Sequence, residues 1–547
     1  MTRYIITSAL PYAEGMLHLG NLVGSILPAD IYYKYLKMKG EDALYICGSD
    51  QHGTPIELQA IKKGVEPRDL ANQMHEQIKQ ALEKFECTFT YYGKTDSEAN
   101  KATVYEIFDA LDRNGYIIET ESLQAYCNID KRFLSDRFVE GTCPYCGFAG
   151  ARGDQCDNCG HLLTPQELKE PHCVICGSKE LEFKKVKNLA IDLKKLAPKL
   201  KSFIEERSKN NWSKNSINKS LSYISQGLQA REITRNMKWG FKVPKKGFED
   251  SVFYVWFDAP IGYIGITREY SEKMWKDYWF DEKSRLVQFM GKDNIEFHTL
   301  MWPGMLIGSD LGYVLPYTIK AYEFLMSKTI KFSKSRGTGM NIQNALDIMH
   351  PDYWRFVLAS LIPETADSEF SIPAVIEIVN KVMNDKIGNL VHRVLTLAKK
   401  VNDGKWNVGA PELDSKRIME LVESYRKHFE NLEIREALKD VVDLADLGNM
   451  MMSSYEPWSM LKSGKNEELN ALLSTLLSIV FYIGVLLHPF TPMASAKTIS
   501  YFGLHENASF NMLNEKHEFD ASQKIEPIFR KMTDHEIKKL EGFSAGM

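Results

Sequence analysis

The sequence predicts a doubly wound α/β fold that is split by a cysteine-rich insertion and followed by an all-helical region. Three observations carry this. Short apolar runs alternate with helical stretches over the first hundred residues, the same alternation returns after about residue 230, and beyond about residue 371 the apolar positions recur with a helical period.

In chain order, "RYIITSAL" reads as a strand, "ALPYAEGMLHLGN" as a tight loop, and "LVGSILPADIYYKYLKMKG" as a helix. The amides at that loop-to-helix junction, His18 to Asn21, have no partner inside the helix and carry the positive end of its dipole, so the corner suits an anion. "DALYICGS" is the next strand, and helical stretches begin near Pro55, Asp69 and Ser97. From about Gly115 to Gln229 the texture becomes Cys, Gly, Lys and short polar turns. "SVFYVWFDAPIGYIG", "RLVQFMGKDNIEFHTLMWPGML" and "YTIKAYEFLMSK" then read as core strands ending in polar or glycine-containing loops. The aromatic cluster Phe253, Tyr254 and Trp256 reads by itself as core packing. "ALLSTLLSIVFYIGVLLHPF" contains Ser, Thr and Gly and ends at His488-Pro489, which fits a buried bundle helix better than a membrane span.

The chain of 547 residues is long enough for several cores, and its 44% apolar and 26% charged residues exclude disordered and collagenous classes. A net charge of −4 argues against a globally basic nucleic-acid binder. Between Lys179 and Lys246, however, 18 Lys and Arg face 6 acidic residues, a local excess that can serve a polyanion or simply form a solvated helical surface. No charged leader with an apolar core and cleavage site is read at the amino terminus, and nine cysteines are an odd number without secretory context, so a reducing, cytoplasmic location is expected.

Seven of the nine cysteines fall between Cys127 and Cys176. "CPYCG" and "CDNCG" supply Cys143, Cys146, Cys156 and Cys159, two pairs able to grip one tetrahedral zinc. The glycine after each pair permits the sharp turn of a knuckle. Four sulfur ligands leave no open position, so this zinc is expected to be structural. "CVICG" adds Cys173 and Cys176, and upstream "CNID" offers Cys127 with Asp130 where a fourth Cys would stand. These four can hold a second zinc; the alternative is three free thiols and a surface carboxylate.

"KFSKSRG", Lys331 to Gly337, places two ammonium groups and two hydroxyls in a short segment suited to polyphosphate. "HLGN" and "KFSKS" together resemble the "HIGH" and "KMSKS" signature pair of class I aminoacyl-tRNA synthetases. Within that class the segments "ALPYAEGMLHLGN", "CGSDQHGTP", "FYVWFDAPIGY", "GKDNIEFH" and the four-Cys knuckle resemble, in order, those of the methionyl-tRNA synthetase family. Asn21 stands where the signature has its second His, and its amide can still donate to phosphate. Phe332 replaces the usual Met.

The resemblance implies a Rossmann-type catalytic domain in two halves (1–114 and 230–324), a knuckle-bearing insertion (115–229), a linker domain with the lysine loop (325–370) and an anticodon-binding helical domain (371–547). It implies ATP, L-methionine and tRNA(Met) as partners, with neither membrane nor DNA among them, and magnesium accompanying the ATP. His18, Asn21, Lys331 and Lys334 would act on the triphosphate, Gly20 would admit adenine, and Gly291 and Asp293 would contact ribose. Asp50 would bind the methionine ammonium. Ala9, Leu10, Tyr12, Trp256, Ala259, Pro260, Tyr263 and His298 would surround the thioether, which needs a polarisable apolar pocket. Asn389 and Arg393 in "GNLVHR" and Trp458 in "EPW" match anticodon contacts; Arg235 in "REITRN" matches a segment near the site without an assigned role. Three rivals lose by this pattern. A leucine, isoleucine or valine enzyme would carry a larger insertion, a small nucleotidylyltransferase would lack the helical third, and a zinc RNA-binding protein would have no reason to keep both signatures. A monomer is expected.

Overall fold

The computed structural model describes residues 2–153, 156, 158, 159, 161, 163–327, 330, 331 and 339–544. Five parallel strands form the central sheet: β1 (Arg3–Ser8), β2 (Asp42–Ser49), β3 (Tyr91–Lys94), β4 (Arg285–Gly291) and β5 (Pro316–Tyr322), in the spatial order β5-β4-β1-β2-β3. Nearly every residue of β1 and β2 is buried, because helices cover both faces and an alternating pattern would leave polar groups inside. The chain winds outward through β1, β2 and β3, then returns so that β4 lies beside β1, with Tyr4 level with Arg285 and Ser8 with Phe289. The order reverses between these two strands. Loops leaving their carboxyl ends therefore diverge and open a crevice, the usual ligand position in such sheets.

The insertion begins with a long antiparallel ribbon of Ile117–Cys127 and Leu181–Ile191, paired from Ile117 opposite Ile191 to Cys127 opposite Leu181. The cysteine knuckles occupy its far end. Helices Leu193–Arg207 and Lys214–Gln226 then lie against the sheet: Trp212 donates its Nε1–H to the Tyr317 carbonyl at 3.0 Å, and Asn215 donates to Ala321 at 3.1 Å.

Two of the expected strands are largely helical. In "SVFYVWFDAPIGYIG" only Val252–Phe253 is extended, and Val255–Tyr270 is a helix; after β4 the backbone becomes helical again over Phe297–Met301 and Trp302–Ser309. Both helices are buried almost all round, so neither shows the polar stripe that separates helix from buried strand in a sequence.

Leu325–Ser327 pairs with Ile330–Lys331 and with Ser368–Glu369 in a small linker sheet. The remainder is helical, and Asn466–Leu486, although long and apolar enough to cross a membrane, has 83% of its apolar window buried among the other bundle helices. The bundle shares a core with the catalytic sheet: Tyr35, on the helix that follows the first loop, stacks on Phe429 with ring centroids 4.3 Å apart and planes 4° from parallel. Beside this contact lies a buried charge hub. Asp30 meets Arg355 at 2.7 Å and Lys34 at 2.5 Å, while Arg355 also donates to the carbonyls of Phe490 (3.0 Å), Pro489 (2.7 Å) and Glu86 (3.1 Å).

Candidate functional site

The loop after β1 is stitched to the strand ends around it. Ala9 N–H donates to Phe289 O of β4 at 2.9 Å, while Asp50 N–H donates to Pro11 O and Ala13 N–H to Asp50 O, each at 2.8 Å. The loop ends at His18, which caps the following helix through a reciprocal pair. Asn21 N–H donates to His18 Nδ1 at 3.1 Å, and His18 N–H donates to Asn21 Oδ1 at 3.2 Å. The geometry has two chemical consequences. With Nδ1 accepting, the neutral ring carries its proton on Nε2, and with Oδ1 accepting, Asn21 keeps its NH2 as a donor. Gly20, half-buried between them, adds no side chain to the corner.

The described chain that follows the lysine segment, Met340 to Ile342, meets this corner. Leu19 N–H donates to Met340 O and Ile342 N–H to Leu17 O, both at 2.9 Å, with His18 bridged to Asn341. Lys334 lies outside the described residues, and Lys331 is described only as backbone, paired with Met326. Across the crevice, β4 ends at Gly291. A Cβ built there would stand 2.7 Å from Asp293 Oδ1, so a larger residue would displace that carboxylate. Lys292 pins the same turn to the linker through Glu323 (2.6 Å) and Asp367 (2.7 Å).

The residues that the resemblance assigns to the methionine pocket come together from the ends of β1 and β2 and from the helix Val255–Tyr270. Asp50 is buried and bridged to Tyr12. Trp256 donates its Nε1–H to Tyr12 Oη at 3.2 Å and lies against Phe297, centroids 4.2 Å apart. His298 donates its Nδ1–H to Asn294 O at 3.0 Å, and its Nε2 accepts from Tyr263 Oη at 2.9 Å. Burial pushes the His298 pKa down to about 4, so the ring is neutral near pH 7. Leu10 lies 3.4 Å from the Cβ position of Gly262 on the same helix, with Ala9 just before it; Ala259 and Pro260 fill the turn between Trp256 and Tyr263. Aromatic walls, a neutral imidazole and one carboxylate suit an apolar, polarisable side chain attached to an ammonium group. The predicted aromatic cluster divides here: Phe253 is buried against Phe108 at 5.1 Å, whereas Tyr254 and Trp256 are half-buried and turn toward the pocket. Arg235 lies over the Tyr254 ring at 4.4 Å and pairs with Glu232 at 2.6 Å.

Sequence reasoning missed the charges behind the pocket. His52 and Asp258 sit inside quoted segments, "CGSDQHGTP" and "FYVWFDAPIGY", and their Nδ1 and Oδ2 approach to 2.6 Å; Asp96 meets the other nitrogen at 3.6 Å. An acid two residues past a pocket Trp, on a run otherwise apolar, was the available signal. A charge is buried there only with a partner.

Both cysteine sets close. Cys143, Cys146, Cys156 and Cys159 offer sulfur atoms all within 4.8 Å of one another, and so do the ligand atoms of Cys127, Asp130, Cys173 and Cys176. Cys143 to Cys159 is 3.8 Å, Cys127 to Cys176 is 3.5 Å, and Cys173 donates to Asp130 Oδ2 at 3.1 Å. Gly147 and Gly177 turn the knuckles at φ +74° and +73°, each returning its N–H to the first Cys carbonyl, a backbone conformation other residues adopt only with strain. Soft thiolates at tetrahedral spacing fit zinc, and a single carboxylate is an acceptable fourth ligand.

On the bundle, Asn389 and Arg393 stand one helical turn apart on an exposed face. Arg393 lies 5.6 Å from the ring centre of Trp458, which is 40% exposed although large and aromatic. All three predicted residues therefore meet on one surface.

The chain matches the family model described as "tRNA synthetases class I (M)" over residues 4–395, and the anticodon binding domain of methionyl tRNA ligase over residues 403–546. It is 39% identical to the methionine–tRNA ligase of Aeropyrum pernix, covering 99% of this chain and 96% of that protein. Its identity to the enzyme of the same name from Pyrobaculum islandicum is also 39%, with the same coverage of both chains. In shape it resembles Mycobacterium tuberculosis methionyl-tRNA synthetase, solved in complex with methionyl-adenylate, with a TM-score of 0.80 at 22% identity over 97% of this chain and 100% of that one. The chain belongs to the methionine–tRNA ligase family of class I tRNA synthetases.

Proposed function

We propose that this chain activates L-methionine with ATP, releasing pyrophosphate from a methionyl-adenylate, and then passes the methionyl group to the terminal adenosine of tRNA(Met). In the first step the methionine carboxylate attacks the α-phosphate and pyrophosphate leaves. Such a transfer asks the protein for positioning and charge stabilisation rather than a side-chain nucleophile. The supporting observation is one juxtaposition: the His18 corner, the returning segment at Met340–Ile342 and the Asp50 pocket border the crevice between β1 and β4.

In this reading His18 Nε2–H and the Asn21 amide donate to the triphosphate, and Gly20 admits the adenine. Gly291 and Asp293 hold the ribose, and Lys331 and Lys334 close on the leaving pyrophosphate. Asp50 takes the α-ammonium, while Ala9, Leu10, Tyr12, Trp256, Ala259, Pro260, Tyr263 and His298 enclose the thioether. Magnesium arrives with the ATP, and one zinc sits in each cysteine set to hold the insertion's fold. Asn389, Arg393 and Trp458 bind anticodon bases, stacking on the indole and reading base edges with the polar groups. The chain divides as 1–114, 115–229, 230–324, 325–370 and 371–547, and it acts in the cytoplasm, where thiolate metal ligands stay reduced.

Two substitutions test the assignment. Asp50→Asn should raise KM for methionine and leave KM for ATP near its original value, and Lys334→Ala should lower turnover by orders of magnitude. Normal exchange of pyrophosphate in Lys334→Ala would remove that residue from the mechanism.

A further inference from the structure

His52 lies two residues beyond Asp50 and is almost fully buried. Its Nδ1 is 2.6 Å from Asp258 Oδ2 and its Nε2 is 3.6 Å from Asp96 Oδ1, while Arg68 holds the other Asp96 oxygen at 2.9 Å. The rings of Trp239 and Phe241 meet the imidazole edge-on at 5.2 and 4.6 Å. A carboxylate faces each ring nitrogen, an arrangement that favours the doubly protonated ring. Burial by itself would strip that proton, but Asp258 and then Asp96 outweigh it and bring the His52 pKa up to about 10.

Asp50 and Asp258 are both buried, and the Asp258 carboxylate resists ionisation of Asp50. Burial first and Asp258 second hold the Asp50 carboxyl well above the ordinary carboxylate range, and His52 draws it only part of the way back. Tyr12 and Tyr263 also feel the Asp50 charge, both kept neutral chiefly by burial, with Tyr254 and Arg137 acting on Tyr12. Asp50 Oδ1 also accepts from the His52 backbone N–H and from Thr95 Oγ1, each at 3.4 Å.

We propose that His52 is a positioning residue for recognition of the substrate's α-ammonium group: its imidazolium offsets the Asp258 charge and its amide braces Asp50, so that Asp50 can take up its own charge as the ammonium group arrives. This rests on the reading of the crevice as the methionine site. His52 touches no reacting atom, so its removal weakens capture of the amino acid rather than the chemistry at phosphorus.

The test compares the wild type, His52→Gln and the double variant His52→Gln/Asp258→Asn by methionine-dependent exchange of pyrophosphate into ATP. KM for methionine and for ATP are measured from about pH 6.5 to about pH 8.5, below the loss of the ammonium proton. In His52→Gln, KM for methionine should rise by about tenfold for each unit by which the Asp50 pKa exceeds the assay pH, and fall as pH rises, while the wild-type value varies less. KM for ATP and kcat should stay within about threefold, and the double variant should recover most of the lost affinity because both opposed charges are gone. An unchanged methionine KM in His52→Gln overturns the proposal. So does a rise that is equal at every pH and not rescued in the double variant, which marks a merely structural role. A wild-type protein without methionine-dependent exchange overturns instead the reading of the crevice itself.

Discussion

Arg355→Met removes the cation from the hub that joins three parts of the chain: Asp30 and Lys34 on the helix behind His18, Arg355 in Pro351–Ser360, and the Pro489–Phe490 turn of the bundle. Arg355 and Asp30 are both 0% exposed, so water cannot replace what is lost. Burial pushes the Asp30 pKa up, yet Lys34 and Arg355 more than offset it and hold it below the usual range. Without the guanidinium, Asp30 keeps Lys34 and the Thr88 N–H, and the carbonyls of Pro489 and Phe490 lose donors at roughly 1–3 kcal/mol each. The total agrees with the about 3–5 kcal/mol typical of breaking a buried pair. Because several cores are present, a single unfolding midpoint is a poor readout. Amide hydrogen exchange at Leu487 and Thr491, whose N–H groups donate to Ile483 and Leu487, reports the opening of this joint directly. The opening constant should increase by roughly two to three and a half orders of magnitude. An increase of tenfold or less would refute the view that the hub fastens bundle to sheet.

Further predictions follow from the other sites. Trp458→Ala should spare pyrophosphate exchange while reducing charging of tRNA, since losing one stacked base costs about 1–3 kcal/mol; equal loss in both assays would contradict the anticodon assignment. Metal analysis of the purified protein should find two zinc ions per chain, falling to one in a Cys173→Ser/Cys176→Ser variant; one zinc before substitution would leave the Asp130 set without its ion. Glu536, drawn down to about 2 chiefly by Arg530 and helped by the Thr533 backbone and hydroxyl, stabilises the first turn of the C-terminal helix. Its folded-state pKa lies below the ordinary value of about 4.3. Its contribution is therefore complete above about pH 4.3 and fades as pH falls through about 2, which hydrogen exchange across residues 534–544 in the native enzyme and in Glu536→Gln can follow.

Much of this molecule was legible before any coordinates. Spacing predicted the Cys143, Cys146, Cys156 and Cys159 set and left the Asp130 set open between a metal site and free thiols; metal ligands must converge whatever surrounds them, and both sets close in space. Alternation located β1, β2, β4 and β5, whose strands are short, apolar and bounded by turns. The same rule failed at Val255–Tyr270, where a helix buried on all sides, carrying Pro260 and two glycines, has no polar face to betray its period. His52 escaped notice for a related reason. Its meaning comes from Asp258, 206 positions away, and no local pattern encodes a pairing that only the fold completes. Lys334 falls outside the described residues; Met340, six residues after it, meets Leu19 at the histidine corner.

Exchange of labelled pyrophosphate into ATP, run separately with each of the twenty amino acids, asks most directly whether the crevice between β1 and β4 activates methionine. Strong exchange with methionine and background with the other nineteen is the predicted result. Strong exchange with a different amino acid, or none with methionine present, would contradict it.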